Sequence, residues 1–130
     1  MIEKIQTVAA DIFRKYDKVV AVFLLGSAAT SKLRPDSDID MALLTESGKK
    51  ILPSDFLSLS SSLSYEFSRT VDLGIISSKN LIYAREALLK GIPVFVRDED
   101  KMNLLRANLL GMYIQFNEDR REIVEAYASR

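Results

Sequence analysis

The chain has 130 residues, 48% hydrophobic and 28% charged, enough for one domain spanning residues 1–130 around one core. Basic and acidic residues balance at 18 each, so no positive excess points to direct nucleic-acid binding. Cysteine and histidine are both absent, which excludes disulfides, thiol nucleophiles, His-ligated zinc and Ser-His-Asp triads.

In chain order, Ile2, Ile5, Ala9, Ile12, Phe13 and Tyr16 recur at helical spacing and predict an amphipathic helix ending near Lys15. The acidic and polar residues of this opening stretch do not suit a signal peptide, and no run reaches the length of a membrane span. A cytoplasmic protein with no membrane partner is expected. "VVAVFLL" (Val19 to Leu25), stopped by Gly26, reads as a strand buried on both faces. "IDMALL" reads as a second strand and "TVDLGII" (Thr70 to Ile76) as a third. Between them, Phe56, Leu59, Leu63 and Phe67 keep helical spacing among seven serines from Ser54 to Ser68; a flexible linker has no reason to keep such a stripe. Pro53 suits the first turn of that helix. "SKNLIYAREALLKG" reads as a helix with a terminal glycine, and "IPVFV" as a short strand.

The final segment, from Asp98 to about Tyr127, reads as one long helix with Met102, Leu105, Leu109, Met112, Tyr113 and Phe116 along one side. Leu104, Leu110 and Ile114 lie off that side, so the helix is apolar over more of its circumference than one core contact requires. Packing within the domain and a homo- or hetero-oligomeric surface are equally compatible with that pattern. Alternating strands and helices predict an α/β (α+β) class: a sheet of about four strands flanked by helices, with a long C-terminal helix.

Chemistry concentrates in "LLGSAATSKLRPDSDIDMALL" (Leu24 to Leu44). In a strand, residues i and i+2 share a face, which sets Asp38 beside Asp40. Two such carboxylates repel one another and resist burial unless a cation lies between them. Mg²⁺ suits the need, because it takes a few carboxylate oxygens together with water and substrate phosphates. If the strand carrying Asp72 pairs with this one, three carboxylates converge in the pattern of a two-metal phosphoryl- or nucleotidyl-transfer site. Gly26 lets a ligand approach the backbone, and Ser27 can open a helix whose free N–H groups favour phosphate.

These residues resemble the minimal nucleotidyltransferases (MNT) of the DNA polymerase β superfamily, whose signature is Gly-Ser, ten residues, Asp-x-Asp, then a later aspartate: here Gly26, Ser27, Asp38, Asp40 and Asp72. The small size and long last helix resemble the antitoxin half of HEPN/MNT toxin–antitoxin modules. The resemblance implies a polymerase-β-like fold on a mixed sheet and transfer of AMP from ATP to a hydroxyl, a tyrosine of the partner HEPN ribonuclease toxin. It implies two Mg²⁺ ions held by Asp38, Asp40 and Asp72, with Asp72 helping to deprotonate the acceptor and Gly26 and Ser27 holding the β- and γ-phosphates. Ala28, Ala29 and Thr30 stand where many members carry arginines, leaving Lys32 and Arg34 as the nearby cations for the triphosphate. Two alternatives stay open: a catalytically weak antitoxin acting by stoichiometric binding, and a small-molecule nucleotidyltransferase.

Overall fold

A computed structural model describes residues 2–29, 37–46 and 49–128, apart from the side chains of Ser27 and Ala28. Lys32 and Arg34 lie outside the described residues. The elements run α1 (Ile2–Phe13), β1 (Val19–Leu25), α2 (Gly26–Ala29), β2 (Ile39–Thr45), α3 (Pro53–Phe67), β3 (Val71–Ile76), α4 (Leu81–Lys90), β4 (Ile92–Val96) and α5 (Glu99–Ala128).

Four strands form one mixed sheet in the order β3-β2-β1-β4. β1 runs antiparallel to both of its neighbours, whereas β2 and β3 are parallel and joined by the crossover helix α3. Every residue of β1 except Leu25 is buried, as its uninterrupted apolar run requires of a strand covered on both faces. On one face, Val22 and Leu24 of β1 and Ile39, Met41 and Leu43 of β2 pack with Ile5, Ala9 and Phe13 of α1 and Leu59 and Leu63 of α3. On the other, Ala21, Phe23, Ala42, Leu44 and Ile76 meet Ala84, Ala87 and Leu88 of α4 and Met102 and Leu109 of α5.

The serine-rich stretch is helical, with Pro53 in its first turn. Two of its serines fasten the helix to the strand that follows: the Ser60 hydroxyl donates to the Val71 carbonyl at 3.2 Å, and the Val71 N–H donates to Ser64 Oγ at 3.0 Å. Arg97, just past β4, gathers loose carbonyls at the end of α1. Its guanidinium donates to the oxygens of Phe13 at 2.7 Å, Tyr16 at 3.1 Å and Arg14 at 3.2 Å, and to that of Val19 at 2.9 Å. A cation there complements the negative end of the helix dipole. Glu46, after β2, is hydrogen-bonded by Lys101 of α5 and paired with Lys49 at 2.7 Å. These two amines, Lys101 first, hold its carboxyl down at about 2.

The apolar stripe of α5 is used unevenly. Met102 and Leu109 are buried, Leu105 and Leu110 pack against the second core, and Arg85 of α4 lies 5.4 Å from the Tyr113 ring centre. Beyond that, Met112, Ile114, Phe116, Ile123, Val124 and Tyr127 are exposed, so the second half of the helix carries apolar residues without a core to bury them.

Candidate active site

The carboxylates are placed by strand register. β2 and β3 pair in parallel with Asp40 directly opposite Asp72, which puts their α-carbons about 4.8 Å apart. In β2, Ile39, Met41 and Leu43 point into the α1/α3 core, so alternation turns Asp40 to the α4/α5 side, where Ala42 and Leu44 follow it. Val71 and Leu73 belong to the first core and Ile76 to the second, so Asp72 and Gly74 share the face of Asp40. Asp40 and Asp72 are both exposed, whereas their apolar neighbours Ile39, Met41 and Val71 are buried.

The start of the parallel ladder is fixed by one backbone and one side-chain hydrogen bond from the flanking residues. Ile39 N–H donates to the Thr70 carbonyl at 2.9 Å, and an Arg69 guanidinium nitrogen reaches the Ser37 carbonyl at 3.5 Å. Asp38 lies one residue before β2, exposed, where the sequence pattern put it within the strand. Its charge nevertheless acts on Asp40. The Asp40 carboxyl is raised above its ordinary value by desolvation first, then by repulsion from Asp72 and from Asp38. Two carboxylates thus act on a third, Asp40.

Gly26 closes the opposite wall. Leu25 pairs with Asp40 across the β1–β2 ladder, and the chain then turns at Gly26, whose φ of 65° lies in the left-handed region. A Cβ at this position would come within 3.3 Å of Asp40 Oδ2, so glycine is needed both for the turn and for room beside the carboxylate. The short α2 begins here, and its backbone includes Ser27.

Sequence reasoning missed Tyr83. It lies in the first turn of α4, where the Asn80 side chain accepts from its backbone N–H at 3.1 Å, and its half-buried ring crosses β3 at Gly74. Burial, then the charge of Asp40, raise its phenol above the ordinary value. The available signal was Gly74 itself, because a glycine inside a strand marks close approach by another group.

Among the described residues, no three carboxylates close on a common point as a ready-made metal cage. The donor set suits an open site in which a hard cation keeps waters and gains phosphate oxygens from a substrate. A cavity of about 750 Å³ lies elsewhere, at the far ends of β2 and β3, between Leu44, Ile76, Phe56 and Leu105, and contains none of the three aspartates. The carboxylate row is an open shelf on the sheet.

A mixed sheet presenting a row of carboxylates beside a glycine turn is the layout of enzymes that transfer phosphoryl or nucleotidyl groups. The chain belongs to the polymerase beta nucleotidyltransferase family, which it matches over residues 6–100. Comparison with curated protein sequences finds no match. Solved structures share the fold. A chain of a toxin–antitoxin complex with AMP-PNP superposes with a TM-score of 0.77 at 19% identity, covering 95% of this chain and 98% of that one. A complex of a tri-AMPylated Shewanella oneidensis HEPN toxin with an MNT antitoxin gives 0.74 at 18% identity, covering 98% and 99%. A further structure from Shewanella oneidensis gives 0.72 at 16%, covering 95% and 96%.

Proposed function

We propose that this chain is the antitoxin of a toxin–antitoxin pair and silences its partner, a HEPN ribonuclease toxin, by transferring AMP from ATP to a toxin hydroxyl, that of a tyrosine. The observation that carries the reading is the Asp40–Asp72 pair, in register across β2 and β3 beside Gly26. Support comes from the shared fold with chains crystallised with AMP-PNP and with a tri-AMPylated HEPN toxin.

Asp38, Asp40 and Asp72 would hold two Mg²⁺ ions, which, when bound, neutralise charge on the triphosphate and acidify the acceptor hydroxyl. The chain's own residues do the rest. Gly26 leaves room for phosphate beside Asp40, the start of α2 offers backbone N–H groups at Ser27, and Lys32 and Arg34 supply positive charge to the β- and γ-phosphates. Asp72 takes the proton from the acceptor as its oxygen bonds to the α-phosphorus; the bond from that phosphorus to the bridging oxygen breaks, and pyrophosphate leaves. Catalysis is then positioning and charge compensation, without a covalent enzyme intermediate. The setting is cytoplasmic, where ATP and a ribonuclease's targets coexist.

The test is to incubate the protein with labelled ATP, Mg²⁺ and the product of the adjacent gene. Label should move to that partner with wild type and not with Asp38→Asn/Asp40→Asn; equal labelling by both proteins rules the reading out. The exposed apolar residues of the second half of α5 favour a second reading, neutralisation by stoichiometric contact. In that case the aspartate double variant protects cells as well as wild type does.

A further inference from the structure

Tyr83 belongs to the wall of the site. Asp40 and Asp72 form one cross-strand row on the α4/α5 side of the sheet, and Ala42 and Gly74 form the next row on the same face. The two small residues leave a shallow bay, and Tyr83 of α4 fills it. A Cβ built on Gly74 would lie 2.1 Å from Tyr83 Oη, 2.7 Å from Cζ and 3.1 Å from Cε1, so the phenol rests directly on the glycine backbone. Leu81 and Tyr83 pack against the second core, and the Asn80 cap fixes the turn that carries the ring. Tyrosine suits a boundary of this kind, since its ring faces apolar neighbours while its hydroxyl keeps a polar edge. Here that polar edge lies over Gly74, one row from the carboxylates.

Building on the transferase reading above, we propose that Tyr83 is a positioning residue for the carboxylate row: its ring, held over Gly74, walls off the core side, and its hydroxyl, over the same glycine, sets a polar group one row from Asp40 and Asp72, on the face where metal and triphosphate bind. A phenylalanine would fill the bay equally well. The hydroxyl is therefore the group whose removal separates a positioning role from simple packing.

The experiment is calorimetric titration of AMP-PNP with Mg²⁺ into wild type and Tyr83→Phe, with melting temperature and the Mg²⁺ dependence of transfer measured alongside. Loss of the polar group beside the row predicts affinity weakened about three- to tenfold and a similar rise in half-saturating Mg²⁺, at unchanged melting temperature. Gly74→Ala, whose Cβ must displace the ring, should show the same defect, and in a Tyr83→Ala background it should add nothing. Equal affinity in wild type and Tyr83→Phe overturns the proposal, whether or not the wild type transfers AMP. So does an AMP adduct on Tyr83 itself, which would make it an acceptor. A wild type that binds AMP-PNP with Mg²⁺ yet modifies no acceptor counts against the proposed function alone, and one that binds no AMP-PNP overturns both.

Discussion

Asp40 is the residue at which the electrostatics of the site converge. Its carboxyl titrates above the ordinary value through desolvation and then through Asp72 and Asp38, so the folded chain holds this proton more readily than the unfolded one. Without metal, the contribution of Asp40 to stability is therefore lost as pH rises through its folded-state pKa. Asp40→Asn removes that penalty. In chelator at neutral pH the variant should melt above wild type, and the gap should close in acid below the carboxylate range. With ATP and Mg²⁺ present the order should invert, because only the wild type gains stability from the ligand; a calorimetric scan under the two conditions measures both. Gly26 bears on the same carboxylate from the other side. Gly26→Ala places a side chain at a φ of 65° and 3.3 Å from Asp40 Oδ2. It should cost about 1 kcal/mol in a denaturant melt through backbone strain alone, and should also weaken AMP-PNP binding by crowding the carboxylate.

Among the elements, α3 does more than cross over the sheet. Its serines hold the first residue of β3, the neighbour of Asp72, through Ser60 and Ser64. Ser64→Ala leaves the N–H of the buried Val71 unpaired, at a cost of about 1–3 kcal/mol in a urea melt, and transfer should fall with it because the strand end that presents Asp72 is loosened. The link between α1 and β4 depends on Arg97, whose guanidinium serves four carbonyls. Arg97→Ala should destabilise by about 2 kcal/mol, the worth of a charge-assisted bond lost with its partners left partly buried. Nucleotide affinity should be unchanged, since β4 lies at the sheet edge away from β3.

For the molecule as a whole, α5 divides into a half that belongs to the core and a half that does not. Its buried residues are Met102 and Leu109, while Ile114, Phe116, Ile123, Val124 and Tyr127 stay exposed. Removing residues 117–130 should leave the melting temperature within about 4 °C of the full chain, as expected for a change of under 1 kcal/mol. Circular dichroism checks this directly. The strands and helices were legible in the sequence because each carries an unbroken period: "VVAVFLL" and "IPVFV" form strands over the residues read, and the stripe of α3 outweighs its serines. Neither the order β3-β2-β1-β4 nor the fact that β2 and β3 run parallel was legible, because pairing depends on which faces find each other across the core. Of the candidate site, Gly26 and the three aspartates stood out by their spacing. Tyr83 was signalled only indirectly, by a glycine inside a strand; that α4 lands its ring there depends on tertiary packing.

Side chains in a strand alternate with a period of two, so sliding β3 by a single residue along β2 would drive Asp72 into the apolar interior and turn Val71 out to water. Such an offset is too costly to persist. Formation of the correct ladder and alignment of Asp40 with Asp72 are consequently one and the same event, and a chain that has attained its native hydrogen-bonding alignment already holds these two carboxylates side by side.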